Sequence, residues 1–229
     1  MPGRPWKLLF VGFLALGGAA EARHAHHRAH ANANELAGQP GEFDYYALAL
    51  SWSPSYCASH NDPQQCAGGS KLGFVLHGLW PQYAKGYPEN CSTVKLPDEV
   101  RAQYAALYPS PKLIEHEWSK HGTCSGLEPA DYFTLSSKLK TVLKVPPAYQ
   151  SPDAPIRVDN AAFKQAFRDA NGYMPDNAVL PFCSGGGRFL QEVHACYDPR
   201  GGALSCGDNE IKRSASSCGQ PSFLIPNVR

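Results

Sequence analysis

The chain carries one long apolar stretch at its start; beyond it, hydrophobic and polar positions recur in short runs with two different periods. Leu8 to Gly18 (LLFVGFLALGG) holds 11 residues without a charge, between Arg4 and Lys7 on one side and Ala20-Glu21-Ala22 on the other. A positive head, an apolar middle and small residues at a cleavage point predict an export signal over residues 1–22. The stretch falls short of the roughly 20 apolar residues of a membrane-spanning helix, so no membrane attachment is expected after cleavage. Residues 23–42 (RHAHHRAHANANELAGQPGE) show no apolar period and predict a mobile, His-rich arm. Its His24, His26, His27 and His30 are potential loose metal ligands, but a solvated arm without a ligand is the expectation.

From Phe43 the pattern tightens, and residues 43–229 are expected to form the folded domain. FDYYALALSW alternates closely enough to predict a strand, and Phe74 to His77 predicts a second one running into Gly78. Leu96 to Leu107 has helical spacing and stops before Pro109. Ser110-Pro111 is a helix entry, with Ser as the cap and Pro where its missing N–H costs nothing. That helix runs through KLIEHEWSKH and ends at Gly122. Asp131 to Lys144 and Asp159 to Asn171 predict two more helices, the second closed by Gly172. Strands return at Arg188 to Tyr197 and Ser222 to Ile225. Strands and helices do not alternate regularly, so the prediction is a single α+β domain, an antiparallel β-sheet core flanked by helices.

Composition narrows the function. At 229 residues, 43% hydrophobic and 11% aromatic, the chain is not intrinsically disordered. The formal charge of +1 falls to zero once Arg4, Lys7 and Glu21 leave with the signal. A global positive field for nucleic acid is thereby excluded, but a local nucleic-acid site is not. The eight Cys (Cys57, Cys66, Cys91, Cys124, Cys183, Cys196, Cys206 and Cys218) include no C-x-x-C pair. An even count in an exported chain predicts four disulfides and an oxidising, secreted or periplasmic location. Spacing alone leaves all 105 pairings open.

The helix ending at Gly122 concentrates the candidate chemistry in His116, Glu117, Lys120 and His121. At ~100° per residue, His116 lies about 40° from Lys120, as Glu117 does from His121. The two His are about 140° apart, too far round a regular helix to share one metal ion, so the zincin pattern is not matched. Two imidazoles suit proton transfer instead, with Lys120 to offset charge and Glu117 to orient its neighbours. His77, at a strand end, supplies a third imidazole. This kit serves ribose 2′-OH attack on phosphorus without a metal or other cofactor. No G-x-S-x-G elbow and no G-x-x-x-x-G-K-[ST] loop occurs, and Gly185-Gly186-Gly187 is read as a turn.

Phe74 to Gln82 (FVLHGLWPQ) and Glu115 to Cys124 (EHEWSKHGTC) resemble the two active-site segments of the ribonuclease T2 family, and Ala47 to Cys57 resembles its first strand. The resemblance implies an exported, metal-independent endoribonuclease with an α+β fold. Such enzymes cut RNA through a 2′,3′-cyclic phosphate to 3′-phosphate ends. It assigns His121 as the base, His77 as the acid, Lys120 and Glu117 to the transition state, and His116 to phosphate binding. Trp80 matches the family's base-stacking residue, Gln82 stands where many members have Asp or Asn, and Tyr83 and Tyr87 are candidate pocket walls. An amide at Gln82 implies broad base preference. The resemblance also implies the pairs Cys57–Cys66, Cys91–Cys124, Cys183–Cys218 and Cys196–Cys206, an acidic pH optimum, RNA as the sole partner, and a monomer.

Overall fold

The computed structural model describes residues 38–67 and 71–228. The expected signal (1–22) and most of the expected arm, including its four His, lie outside the described residues. The arm's last residues, 38–42, are packed rather than free. The Gly41 N–H donates to the Cys124 carbonyl at 2.9 Å, and a Cβ at Gly38 would stand only 2.8 Å from Cys91 Sγ.

In chain order the elements are β1 (Tyr45–Trp52), α1 (Ser53–Cys57), α2 (Pro63–Cys66), β2 (Phe74–Gln82), α3 (Asp98–Tyr104), α4 (Pro111–Lys120), α5 (Pro129–Val142) and α6 (Pro147–Gln150). They continue with β3 (Ile156–Asp159), α7 (Asn160–Ala170), β4 (Val179–Ser184), β5 (Phe189–Tyr197), α8 (Asp208–Ser217) and β6 (Ser222–Ile225). One six-stranded sheet runs in the order β2-β1-β5-β6-β3, and β4 also pairs with β5. The architecture is α+β, a sheet flanked by helices. The sheet is not wholly antiparallel: β5 and β6 meet in parallel at Phe189 and Leu224.

Alternation along β1 explains the two layers. All eight residues of this strand are buried, because β2 and β5 hydrogen-bond to its two edges and both of its faces are covered. Tyr46, Leu48, Leu50 and Trp52 point into the main core with Ile114 and Trp118 of α4 and Tyr132 and Phe133 of α5. Tyr45 and Ala47 join a smaller core with Leu180, Cys196 and Cys206 on the other face. Burial of large apolar and aromatic side chains at ~25 cal/mol per Å² makes the first layer the chief stabiliser. The second layer is thin, and there the sheet carries polar groups.

Local signals act as expected at several ends. The Ser110 side chain accepts from the Leu113 N–H, with Pro111 at the first helical position. Asp159 caps α7 by accepting from the Ala162 N–H. Gly122 follows α4 for packing rather than for a left-handed conformation, since a Cβ there would stand 2.4 Å from the Trp118 ring. β2 extends through Pro81, five residues beyond Leu76. It lies at the edge of the sheet, where a missing N–H breaks no ladder. The four disulfides are Cys57–Cys66, Cys91–Cys124, Cys183–Cys218 and Cys196–Cys206. Cys91–Cys124 ties the turn after α4 to the strand-to-helix connection, and each bridge contributes about 2–4 kcal/mol.

Candidate active site

The second face of the sheet is cleared by small residues. Ala47 lies between Trp80 and Cys196 in register, and Ala49 lies between Gly78 and His194. Side chains this small leave room above the sheet for the Trp80 and His194 rings, whose centroids are 5.1 Å apart. His77 sits at an irregularity of the β1–β2 ladder, between Leu76, which pairs with Leu50, and Gly78, which pairs with Ala49.

α4 reaches this face from the β2 edge. Ile114, Glu117 and Trp118 are its buried side chains, and His121 at its C-cap is buried too. The spacing i, i+3, i+4, i+7 is that of an ordinary core stripe, but two of its four positions are ionisable. His116 is exposed and Lys120 half-buried, so the arc expected on one side of the helix divides into an inner pair and a rim pair.

The inner pair meets β2 directly. Trp80 Nε1 donates to Glu117 Oε2 at 2.7 Å, and Glu117 Oε1 lies 3.8 Å from His77 Nε2. The Trp80 ring lies 4.9 Å from that of His77, edge to face, and 5.3 Å from that of His121. Gly78 makes this possible. A Cβ there would stand 1.9 Å from Glu117 Oε2 and 2.3 Å from Trp80 Nε1. Nδ1 of His121 is buried with no hydrogen-bond partner among the described residues. At the rim, Lys120 Nζ is 3.4 Å from Glu89 Oε2 and lies over the Tyr87 ring at 5.8 Å.

A second set of groups, absent from the sequence reading, stands behind His77. Its Nδ1 is 2.5 Å from Glu192 Oε1, which also accepts from Ser51 Oγ at 2.7 Å. His194 Nε2 is 3.3 Å from Glu192 Oε2, and His194 Nδ1 is 2.5 Å from Glu210 Oε1. Arg213 closes the series with a 2.8 Å contact to Glu210 Oε2. The signal for this cluster was Glu-x-His inside an apolar strand, where period 2 puts both charges on one face of the sheet.

Electrostatics divide the imidazoles. Burial drives His121 down to about 2, helped by the positive charges of Lys120, His116 and His77. Burial also lowers His77, but its hydrogen bond to Glu192 and the charges of Glu192 and Glu117 outweigh that and raise it. His116 is lowered by partial burial and by Lys120. Burial pushes Glu117 up to about 7, against the opposing pull of His77 and the Trp80 N–H. Burial acts upward on Glu192 too, yet hydrogen bonds from His194 and His77 hold it well below the usual carboxylate range.

The expected base-binding residues divide. Trp80 is half-buried within the cluster and oriented by Glu117. Gln82 is turned inward: it is 4% exposed, and its amide donates to the Pro81 carbonyl, which corrects the expectation of an amide facing a base. Gln82 shares the face of Trp80 but pairs with the buried Tyr45, at the covered end of the strand. Tyr83 is half-buried, with its N–H donated to Gly86. Tyr87 is 43% exposed, with its ring 6.1 Å from His121.

Comparison with known proteins bears on the family and the fold. The family model described as Ribonuclease T2 family matches residues 43–206. A ribonuclease of Aeromonas hydrophila is 42% identical over 205 residues, covering 86% of this chain and 92% of its own length. Among solved structures, an RNase-related protein from Calystegia sepium superimposes with a TM-score of 0.64 at 21% identity, covering 82% of this chain and 99% of its own. A point mutant of RNase MC1, solved in complex with 5′-GMP, gives a TM-score of 0.57 at 25% identity, covering 72% and 94%.

Proposed function

The chain belongs to the ribonuclease T2 family and is an endoribonuclease of it, and from that premise we propose that it cleaves single-stranded RNA by transphosphorylation with His121 as base and His77 as acid, needing no metal. The observation that carries this reading is the opposite electrostatic setting of His77 and His121, which both lie beside Trp80. A base must start without its proton and an acid must start with one.

His121 is held neutral, and its enclosed Nδ1 leaves Nε2 to take the ribose 2′-OH proton. A phosphodiester anion beside this imidazole opposes the surrounding cations and raises its basicity as the proton arrives. The 2′-oxygen then attacks phosphorus and forms the 2′,3′-cyclic phosphate. His77, kept protonated by Glu192, delivers its Nε2 proton to the departing 5′-oxygen. In the hydrolytic step the two exchange roles, with water in place of the leaving alcohol. The product then carries a 3′-phosphate.

Lys120 offsets the negative charge that grows on the phosphorane oxygens. Glu117, raised to about 7, retains a carboxyl proton through much of the acidic range and donates it as a hydrogen bond to the same oxygens. His116, exposed at the rim, binds the phosphate. Trp80 offers its half-buried ring to a base, while Tyr83 and Tyr87 form the outer wall. Stacking uses the π-face that every base has, so we expect broad base preference.

The remaining organisation belongs to the same proposal. Residues 1–22 are the export signal, 23–42 the connecting arm, and the catalytic domain begins at 43. The enzyme works as a monomer in an oxidising, secreted or periplasmic setting. No helix among the described residues is long and apolar enough to cross a membrane.

The deciding experiment is dinucleotide turnover in EDTA with product end-group analysis. A 2′,3′-cyclic intermediate followed by a 3′-phosphate is expected. Cleavage that returns only on adding a divalent ion, or products with 5′-phosphates, would reject the mechanism.

A further inference from the structure

Beyond the residues that touch RNA, the structure assigns Glu192 as the positioning residue of the acid His77, itself fixed by a buried carboxylate–imidazole relay through His194 and Glu210. The inference rests on the proposed role of His77 and deepens it.

The relay is continuous. His77 Nδ1 meets Glu192 Oε1 at 2.5 Å, and Glu192 Oε2 meets His194 Nε2 at 3.3 Å. His194 Nδ1 meets Glu210 Oε1 at 2.5 Å, and Glu210 Oε2 meets Arg213 at 2.8 Å. Sign alternates at every step, from imidazole to carboxylate to imidazole to carboxylate to guanidinium. His194 and Glu210 have side chains 2% and 1% exposed. Buried charges this deep are retained only when each is paired, because an unpaired one costs several kcal/mol.

The backbone that carries these groups favours the same reading. β5 lies between β1 and β4, so Glu192 and His194 sit on central backbone held from both edges. Ser51, opposite Glu192 on β1, adds a second donor to the same carboxylate oxygen. Glu210 comes from α8, which β4 anchors through the Ser214 hydroxyl donated to the Pro181 carbonyl and through Cys183–Cys218. The carboxylate that receives the His77 proton therefore has little freedom to turn.

Two consequences follow for His77. With Nδ1–H committed to Glu192, Nε2 is the nitrogen aimed at the reaction, on the Glu117 side. The ring also keeps its second proton to higher pH than burial alone would allow. The groups facing it are Glu192 and His194 from β5, Glu117, His116 and His121 from α4 and its cap, and the Ser51 hydroxyl from β1. Of these only Glu192 touches its ring nitrogen at hydrogen-bond distance as an anion.

The test is the pH–rate profile of Glu192→Gln on a dinucleotide, with imidazole ¹⁵N NMR of the wild-type enzyme beside it. In the variant the limb that falls as pH rises moves acidward by about one pH unit or more, since the raising charge is gone and burial remains. At neutral pH kcat falls about tenfold, whereas KM stays within about twofold. His194→Gln, which removes a neighbouring positive charge, moves the limb the other way by less. In the wild type, the His77 Nδ1 stays protonated on both sides of the titration. A falling limb unmoved in Glu192→Gln, or a neutral His77 carrying its proton on Nε2, overturns the assignment. The NMR result decides even if the variant misfolds. It also decides if the wild type cleaves no RNA, the outcome that would instead reject the catalytic reading.

Discussion

Three imidazoles lie against the Trp80 ring, and two of them, His77 and His121, have opposite surroundings. His121 belongs to the α4 side, where Lys120 and His116 add positive charge and its Nδ1 meets no partner among the described residues. His77 belongs to the β-sheet side, where Glu192 supplies negative charge and a short hydrogen bond. Both rings are enclosed, so burial acts on them in the same direction. Their charged neighbours decide the outcome, lowering one ring further and raising the other. An enzyme needing an acid and a base at one pH obtains both from the same residue type in this way.

The largest effects should come from removing either ring. His77→Ala and His121→Ala are each expected to lower kcat by about 10²–10⁴-fold on a dinucleotide. A nucleoside 3′-(p-nitrophenyl phosphate) separates the two roles, because its leaving group departs as a stable anion. On that substrate His77→Ala should regain most of its rate and His121→Ala should not. The reverse pattern would mean the two assignments are exchanged.

A smaller loss, about 10²-fold in kcat, is expected from Gly78→Ala. Its new methyl would collide with the Glu117 carboxylate and Trp80 Nε1, at 1.9 and 2.3 Å, and so displace the group shared by both sides. Melting temperature and kcat measured together check this. A variant with wild-type kcat would show that the Glu117–Trp80 contact is dispensable.

The α4 side was legible in the sequence, and the sheet side only partly. Helical spacing, a Ser-Pro entry and a terminal Gly placed His116, Glu117, Lys120 and His121 on one helix without any tertiary knowledge. They did not show which members turn inward, since that depends on where the β2 edge lies. His77 was visible through its motif. Its partner Glu192 lies 115 residues away, and the placing of β2 and β5 on either side of β1 has no local signature. β4 was missed because Pro181 and Cys183 interrupt its pattern. α8 was missed because its mostly polar composition offers few apolar anchors, although Ile211 and the buried Glu210 face inward. Those two elements flank the relay behind His77, so overlooking them concealed it. Gln82 failed for another reason: its motif position was read correctly, but the inward turn of its amide is set by the neighbouring Tyr45.

The smallest predicted effect is on stability, and it separates the two sides without any substrate. His121 has its folded value pushed down to about 2, so below the ordinary imidazole range of roughly 6.5 the unfolded chain binds a proton that the folded one refuses. Its neutral burial therefore costs stability increasingly as pH falls. His77 and His194 are raised, so their contribution is fully present below that range and is lost as pH rises through their folded values. Acidification thus weakens the fold through His121 and strengthens it through His77 and His194. His121→Gln removes only the first effect. Its melting temperature should gain on the wild type as pH falls, by roughly 2–4 °C per pH unit below about 6. Parallel melting curves from pH 7 to pH 4 would show that His121 is not held neutral in the fold. The electrostatic difference between the two imidazoles would then lose one of its sides.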